Sequence, residues 1–523
     1  MRPAGRGAME VASGRGRICT VRMNLPQAYA ELLAELERVG LLKSSLALLG
    51  WDEQVMLPPG SAGFRGRQSA ALADLVHREA TSPRLGDRLA AVESRRAELD
   101  ADQQVVVHHA RRDYNRLTKI PAGLVAEKAA LDSEAYHVWA RARRERDFAA
   151  FAPCLQHQLD LAARIAGCFG KSGAAAYDYA IDQFDPGMDA ATIGRLFDAL
   201  SAELVPFAAA VMASPVKARR DRLKGFAVDR QEAFLREVTA AIGFDYQRGR
   251  LDRSLHPFCA GNGFDTRLTT RFDPDDPLQS LFGSIHEAGH GMYEQGLPAS
   301  PFGSALTEAV GMGVHESQSR LWENQVGRSA PFWQYWEPRY RALFPEQLAG
   351  LDAEGLLLAV NAVGRQPIRV EADEVFYNLH IMLRFRLERA LFAGELAVKD
   401  LPGAWNELSR SMLGLEPRDD AEGCLQDVHW SGGAFGYFPS YCLGNMIAAQ
   451  LWETARRALP GLDDELRAGG SASLLGWLRR EVHGRGKQLD TRALTLAVTG
   501  EELGPKALLR YLKGRYGALY RVG

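Results

Sequence analysis

Hydrophobic residues recur every three or four positions along most of the chain. The first such stretch starts at Leu25, and its hydrophobic positions are Tyr29, Leu32, Leu33, Leu36 and Val39. This spacing places the side chains on one face of an amphipathic helix. The same period returns in five later segments, at 64–98, 101–117, 121–147, 148–170 and 190–213. The pattern therefore predicts a mainly α-helical protein.

Turn-forming residues and one alternating segment interrupt this pattern. The first helix is expected to break within Trp51–Gly60, where two prolines and a glycine follow one another. Asp182–Asp189 is typical of a turn-rich linker. Within Gly263–Phe272, hydrophobic and polar residues alternate and threonines occur, which predicts a short strand or hairpin. The sequence contains neither an internal repeat of 20–50 residues nor a glycine-rich phosphate-binding loop.

Composition narrows the functional classes. The 523 residues include 63 basic and 65 acidic side chains, for a formal charge of −2. Binding to nucleic acid or to an anionic membrane requires a basic excess, so we expect neither partner. No uninterrupted apolar run approaches the roughly 20 residues that cross a bilayer. The six cysteines are irregularly spaced and form no CxxC pair, which favours reduced thiols in the cytoplasm over a disulfide framework.

The first 22 residues differ from the rest of the chain. Met1–Arg22 is rich in glycine and arginine and lacks the apolar stretch of a secretory signal. Two interpretations are open: a disordered tail, or an upstream start codon with the protein beginning at Met23. We favour the second, and we treat 23–523 as the functional unit.

The most informative segment follows the predicted strand. It contains the motif HExxH, as His286-Glu287-Ala288-Gly289-His290. On a helix, residues four apart differ by about 40° of rotation and 6 Å of rise, so both imidazoles can reach one divalent ion. Glu287 lies beside the first ligand, where it can act as general base toward a water molecule. The competing interpretation is a surface helix with two histidines by chance.

A catalytic zinc site needs a third protein ligand. One known spacing puts a third histidine at position 296, but that residue is Gly296. Three glutamates remain as candidates, of which Glu294 is disfavoured because one helix rarely offers three ligands. Glu308 and Glu316 both fall in an expected helix over 304–325, where their separation corresponds to about 80° of rotation. The polar neighbours of Glu316 favour it, whereas Glu308 suits a helix N-terminus.

Six ordered motifs resemble those of the carboxypeptidase Taq family of metallocarboxypeptidases. They are HPF at 256–258, DTRLT at 265–269, HEAGH at 286–290, HESQ at 315–318, IRVEAD at 368–373 and GCLQDVHW at 423–430. The resemblance extends from about Met23 to the C-terminus. It implies a nearly all-helical fold whose two halves flank a deep groove, with a small β-sheet along it.

The resemblance also implies roles for individual residues. His286, His290 and Glu316 match the metal ligands, and Glu287 matches the catalytic base. Arg369 matches the arginine that holds the substrate's C-terminal carboxylate. Oxyanion-stabilising groups are expected at His429, Tyr437 and Tyr441, with the choice between the tyrosines left open.

The resemblance further implies hydrolysis of the last peptide bond of peptides with broad specificity. One divalent ion per chain is expected, with zinc as the default and cobalt as the alternative. A homodimer is expected as well. An endopeptidase or a dipeptide-releasing peptidase would use the same ion but hold the terminus elsewhere, and a non-catalytic helical binding protein would hold no metal.

Two arginines and one histidine have competing structural interpretations. Arg369 is expected near a helix start after Pro367 and has nearby acids in Glu371 and Asp373 as alternative partners. Arg267 either contacts substrate or pairs with Asp265, and we favour the pair. On the apolar helix that follows the IRVEAD motif, His380 is expected to be a core residue rather than a ligand.

Overall fold

Twenty α-helices and one three-stranded sheet make up residues 24–522, the part of the chain that the computed structural model describes. About 70% of the structure is helical, which confirms the expected mainly α fold with a small sheet. The prediction for residues 1–22 lies outside the described residues.

The described residues begin with four helices. They are α1 (Leu25–Val55), α2 (Ala62–Ala80), α3 (Pro83–Glu93) and α4 (Ala101–Thr118). A small core of their own lies between α1, α3 and α4, and leucines of α1 and α3 supply half of its buried side chains. The segment expected as one helix over 64–98 is divided in two, because Ser82 caps a new helix and Pro83 occupies its first turn. Helix α1 itself continues past Trp51 to Val55.

Five further helices lead to the sheet. They are α5 (Ala122–Glu145), α6 (Phe148–Gly167), α7 (Ala174–Phe184), α8 (Ala190–Ala213) and α9 (Val228–Ala241). Among the described helices, α8 alone is long and apolar enough to cross a membrane by length and composition. Its buried residues recur at helical spacing and pack into the large main core, whereas Asp198 and Glu203 form ion pairs with Arg386 and Lys513.

The sheet has the strand order β1-β3-β2. Its strands are β1 (Gly249–Arg253), β2 (Cys259–Asn262) and β3 (Asp265–Thr270). β1 pairs with β3 in parallel, with Leu251 opposite Leu268, and β2 pairs with β3 in antiparallel orientation. Only β3 was predicted from the alternating pattern. β1 lacks that pattern because its sequence, GRLDR, has a single hydrophobic residue.

Eleven helices complete the described chain and supply the site. They are α10 (Pro277–Gly296), α11 (Met312–Arg320), α12 (Ala330–Leu343), α13 (Ala353–Val360), α14 (Glu374–Ala393), α15 (Leu401–Leu408), α16 (Pro439–Ala458), α17 (Leu462–Arg467), α18 (Ala472–Glu481), α19 (Thr491–Thr499) and α20 (Lys506–Tyr520). Helix α11 packs between α10 and α16. It continues into a π-helical turn, Leu321–Val326.

A buried carboxylate joins three of these elements. Asp185, directly after α7, accepts the backbone N–H of Gly313 at 2.7 Å and the hydroxyl of Ser440 at 2.5 Å. Gly313 lies in the first turn of α11, and Ser440 lies in the first turn of α16. Burial raises the pKa of Asp185, and the two donors oppose that shift. The contact fixes the start of α11 against the start of α16.

We expect Asp185→Ala to lower the free energy of unfolding by about 2–4 kcal/mol, because two buried donors lose their acceptor. Urea denaturation measures the change. Asp160→Ala is the matched control, since Asp160 is exposed and bonds only to Gln156 on its own helix, and its effect should stay within about 0.5 kcal/mol. Equal losses in the two variants would contradict the role given to Asp185.

Candidate metal centre and active site

The HExxH motif lies in the second half of α10, as the helical spacing predicts. His286 and His290 point to one side of the helix, with their ring centroids 4.9 Å apart. Gly289, between them, faces α11. A Cβ atom at this position would lie only 2.6 Å from the Cα of Ser319, so the two backbones touch. Glycine, which has no side chain, allows this close approach.

Three donor atoms converge beside this contact. The Nε2 atoms of His286 and His290 lie 3.5 and 3.4 Å from Oε2 of Glu316, and one ligand atom from each residue falls within 4.8 Å of the other two. A tetrahedral ion with bonds of about 2.0–2.2 Å holds its ligand atoms roughly 3.3–3.6 Å apart. Two imidazoles and a carboxylate in this arrangement therefore fit a divalent metal ion.

Glu316 is held in place from two sides. Its carboxylate accepts Nε–H of Arg320 at 2.7 Å and the hydroxyl of Ser319 at 3.0 Å. Burial acts to raise the pKa of Glu316, but Arg320 and His286 outweigh it and hold the pKa well below its usual value. The carboxylate is therefore ionised and ready to bind a cation.

The expected helix over 304–325 is wrong in its first half. Ala305–Thr307 forms a short 3-10 turn, Glu308 has extended backbone angles, and α11 begins only at Met312. Glu308 consequently lies outside the donor cluster and forms an ion pair with Lys487. Glu294, the third candidate, accepts Nε2 of His315 at 2.9 Å instead.

The carboxylate behind His286 was not singled out from the sequence. Nδ1 of His286 lies 2.9 Å from Oε2 of Glu323, which the π-helical turn brings to α10. Burial acts to raise the pKa of Glu323, yet Arg320, His286 and Arg328 lower it to about 2. A carboxylate on the second ring nitrogen orients a metal-binding imidazole and fixes its tautomer.

His290 has a different outer partner. Its Nδ1 lies 2.6 Å from Nδ1 of His315, whose Nε2 in turn bonds to Glu294. Burial lowers the pKa of His290 to about 3, so its imidazole is neutral and can offer a lone pair. The polar cluster around Glu316 thus supplies hydrogen bonds to the ligands, as expected for His315.

Glu287 follows His286 on α10 and is buried, with 7% of its surface exposed. Burial raises its pKa to about 7; His286 opposes the shift, while Glu316 and Glu323 add to it. A carboxyl group with a pKa near neutrality takes up and returns a proton readily.

Arg369 is buried in a cluster with Asp427 and Arg384. Its Nε and Nη2 donate to Oδ1 of Asp427 at 3.0 and 2.8 Å, and Nη1 donates to the hydroxyl of Tyr377 at 2.9 Å. Arg384 binds the other carboxylate oxygen of Asp427. The alternative partners Glu371 and Asp373 are wrong, because Asp373 instead caps α14 through the N–H groups of Val375 and Phe376.

His429, Tyr437 and Tyr441 lie together near this cluster. Nε2 of His429 is 3.4 Å from the Tyr441 hydroxyl, and the rings of Tyr437 and Tyr441 are 5.3 Å apart. Burial lowers the pKa of His429 to about 4, although Asp427 opposes it. Burial raises the pKa of Tyr437 to about 12 and that of Tyr441 well above its usual value. Both phenols therefore keep their protons at neutral pH and can donate hydrogen bonds.

The profile of the carboxypeptidase Taq (M32) metallopeptidases matches residues 31–516. The chain belongs to the carboxypeptidase Taq family. It is accordingly a metallocarboxypeptidase, as the six motifs predicted.

Relatives of this family match over nearly their whole length. Thermostable carboxypeptidase 1 of Thermus thermophilus is 41% identical over 95% of this chain and 99% of its own. A crystal structure of the M32 carboxypeptidase from Deinococcus radiodurans R1 has 42% identity and a TM-score of 0.92, and it covers 95% of this chain and 100% of that one. Metallocarboxypeptidase 1 of Trypanosoma cruzi has 33% identity and a TM-score of 0.89, over 94% and 100% of the two chains.

Arg267 of the DTRLT motif of the carboxypeptidase Taq family has structural partners, and so does His380, which lies beyond the IRVEAD motif. Arg267 donates twice to Asp265, at 2.9 Å each, and its guanidinium lies 4.2 Å from the centre of the Trp51 ring. The pair with Asp265 agrees with the favoured interpretation. His380 is 1% exposed and bonds through Nε2 to the carbonyl of Gln366, as expected for a core residue.

The ligand assignment can be tested with a matched pair of glutamates. Glu316→Ala should strongly reduce the metal content of the purified protein, because one of three donors is lost. Glu308→Ala should leave the metal content unchanged, since Glu308 contacts Lys487. Elemental analysis after equilibration with excess metal measures both. A loss confined to Glu308→Ala would transfer the ligand role to Glu308.

Proposed function

We propose that the protein removes the C-terminal residue of peptides that end in a free carboxylate, with broad specificity for that residue. The observation that carries this proposal is the convergence of His286, His290 and Glu316 beside Glu287, in a chain of a carboxypeptidase family. Folded proteins are not expected as substrates.

His286, His290 and Glu316 would hold one divalent ion, with zinc the default for this donor set and cobalt the alternative. When bound, the ion supplies Lewis acidity, which activates water and polarises the scissile carbonyl. Glu323 and His315 keep the two imidazoles oriented, and Arg320 keeps the Glu316 carboxylate ionised.

Glu287 moves the proton in this scheme. Its carboxylate accepts a proton from the attacking water and delivers it to the leaving amino group. Burial suits this role, because a pKa of about 7 makes the residue both an effective base and an effective acid near neutral pH.

Arg369 binds the terminal carboxylate and sets the cleavage position. A guanidinium has five N–H donors, and Asp427 and Tyr377 occupy three of them. One N–H therefore remains on each Nη atom, which is the arrangement for bidentate carboxylate binding. The largely buried group of Arg369, Arg384 and Asp427 has a net positive charge that an incoming carboxylate neutralises.

His429, Tyr437 and Tyr441 stabilise the oxyanion that develops on the scissile carbonyl. Both protonated phenols are donors, and a single such donor is typically worth about 3–4 kcal/mol in the transition state. The contact between Tyr441 and His429 supports Tyr441 as the donor that the imidazole orients.

We also propose a cytoplasmic homodimer without nucleic-acid or membrane partners. The five cysteines within residues 24–522 are all free thiols, which supports a reducing compartment. The dimer rests on the resemblance to the family, and light scattering on the purified protein tests it.

Glu287→Gln should keep its metal and lose about 100- to 10,000-fold in kcat, since the ligands are untouched and only the base is removed. Elemental analysis and steady-state kinetics on one peptide provide the two measurements. If the variant lacks metal, its inactivity would have another cause and the role of Glu287 would be wrong.

Arg369→Ala should lose about 30- to 4,000-fold in kcat/KM on a free-acid peptide, corresponding to about 2–5 kcal/mol. It should lose little on the same peptide amidated at its C-terminus, which the wild type should already cleave poorly. Arg369→Lys should recover only part of the activity, because lysine has the charge without the planar fork.

Arg267→Ala is the matched control for this comparison, and it should still discriminate between the acid and amide peptides. Loss of discrimination in this variant alone would assign the carboxylate to Arg267. A wild type that cleaves both peptides equally would contradict recognition of the terminal carboxylate.

A further inference from the structure

A carboxylate outside the groups described so far lies in the interior of the molecule. Glu388, in the fourth turn of α14, is fully buried. Its Oε1 accepts the indole N–H of Trp430 at 2.7 Å. Its Oε2 accepts the backbone N–H of Gly436 at 2.9 Å and the hydroxyl of Tyr177 at 2.8 Å. A fully buried carboxyl group that accepts three hydrogen bonds holds its donors firmly, because each donor would be left without a partner if the group moved.

Two of the three donors belong to the segment that bears two of the proposed oxyanion-stabilising groups, His429 and Tyr437. Trp430 directly follows His429, and Gly436 directly precedes Tyr437. One carboxylate therefore anchors both ends of the segment from His429 to Tyr437. The third donor, Tyr177, lies on α7 and has no covalent continuity with that segment.

Local secondary structure alone does not determine the conformation of the segment from His429 to Tyr437. Apart from one short 3-10 turn, His429–Gly432, it has no regular secondary structure, and Gly433 and Gly436 both have positive φ angles. Gly436 also packs against α7, where a Cβ atom would lie 2.5 Å from the backbone N of Ile181. The geometry of such a segment depends on its tertiary hydrogen bonds.

Helix α14 also supports the carboxylate-binding group. Arg384 lies one helical turn before Glu388 and binds Asp427, which in turn holds Arg369. The two residues thus connect α14 both to the group that holds Arg369 and to the segment that bears His429 and Tyr437.

We propose that Glu388 is a positioning residue, which sets the placement of His429 and Tyr437 through Trp430 and Gly436. This role rests on the proposed function of those groups as oxyanion stabilisers. Glu388 does not touch substrate, so its loss should affect the transition state rather than substrate binding.

Glu388→Gln tests this role with almost no change in volume. The amide offers one acceptor oxygen and one NH₂ group, so an NH₂ group faces Trp430 or Gly436 in either orientation. We expect kcat to fall about 10- to 100-fold, because displacements near 1 Å at a reacting centre cost that much. KM should change less than about threefold, since the lost interaction acts in the transition state.

Tyr177→Phe is the matched control. It also removes one hydrogen bond from the same buried carboxylate, but it leaves both bonds to the segment in place. We expect its denaturation midpoint to fall about as much as that of Glu388→Gln, with kcat within about threefold of wild type. Equal losses of kcat in the two variants would show a general effect of stability and overturn the proposal.

A double-mutant cycle separates this inference from the function on which it rests. Tyr441→Phe and His429→Gln should each reduce kcat as single variants. Glu388→Gln should reduce kcat by a smaller factor in the His429→Gln background than in the wild type. If both single variants lose activity while Glu388→Gln retains it, the positioning role is overturned and the proposed function stands. If both single variants retain full activity, the oxyanion assignment fails, and the positioning role fails with it.

Trp430→Phe replaces Glu388→Gln in the comparison should the latter not be recovered folded. It removes one bond to the segment and leaves the carboxylate in place, so the same fall in kcat at nearly constant KM is expected. Unchanged kcat in a folded Trp430→Phe variant would overturn the proposal.

Discussion

The contact between α10 and α11 at Gly289 is the constraint on which the metal centre depends. Any side chain at this position would collide with the backbone of Ser319. Because Gly289 has no side chain, the two helices can touch at the point where His286 and His290 face Glu316. Gly444 on α16 does the same on the opposite side of α11, where a Cβ atom would lie 2.6 Å from Cγ of Glu316. The third ligand is thus confined between two helices that each lack a side chain at the contact.

Charge pairing stabilises the ionised side chains in this closely packed region, because a protein interior disfavours isolated ions. Along α11 and its π-helical turn, Glu316, Arg320, Glu323 and Arg328 alternate in sign and bind one another in sequence. Each acid is ionised and each imidazole has a fixed partner before a cation arrives. Asp427 provides a similar balance for Arg369 and Arg384, and it leaves part of the Arg369 guanidinium available. In the proposed function, the first network receives the metal ion and the second receives the substrate carboxylate.

The sequence predicts the helical class, the position of both HExxH histidines on one helix and the approximate extent of α1, α4, α5, α6 and α8, because those features depend on local spacing. It could not choose the third ligand by spacing alone, and the ordered motifs made that choice. The expected helix through Glu308 failed because its pattern does not reveal that α11 starts only at Met312. Glu323 reaches His286 through a π-helical turn, and Asp427 reaches Arg369 across 58 positions, so neither partner follows from a local pattern. Strand β1 was missed because it is short and charged.

Because three of the N-terminal helices share a hydrophobic core separate from the main one, we expect them to unfold locally as a unit. The buried side chains shared by α1, α3 and α4 form their own cluster, and polar contacts such as those from Arg112 and Arg116 to Asp182 help join them to the remainder. Such a unit has its own, lower free energy of opening. Amide protons in its core should therefore exchange with solvent through an event that leaves α10, α11 and α16 closed. The donor cluster on α10 and α11 and the helices α1, α3 and α4 then belong to different cooperative units of the described chain.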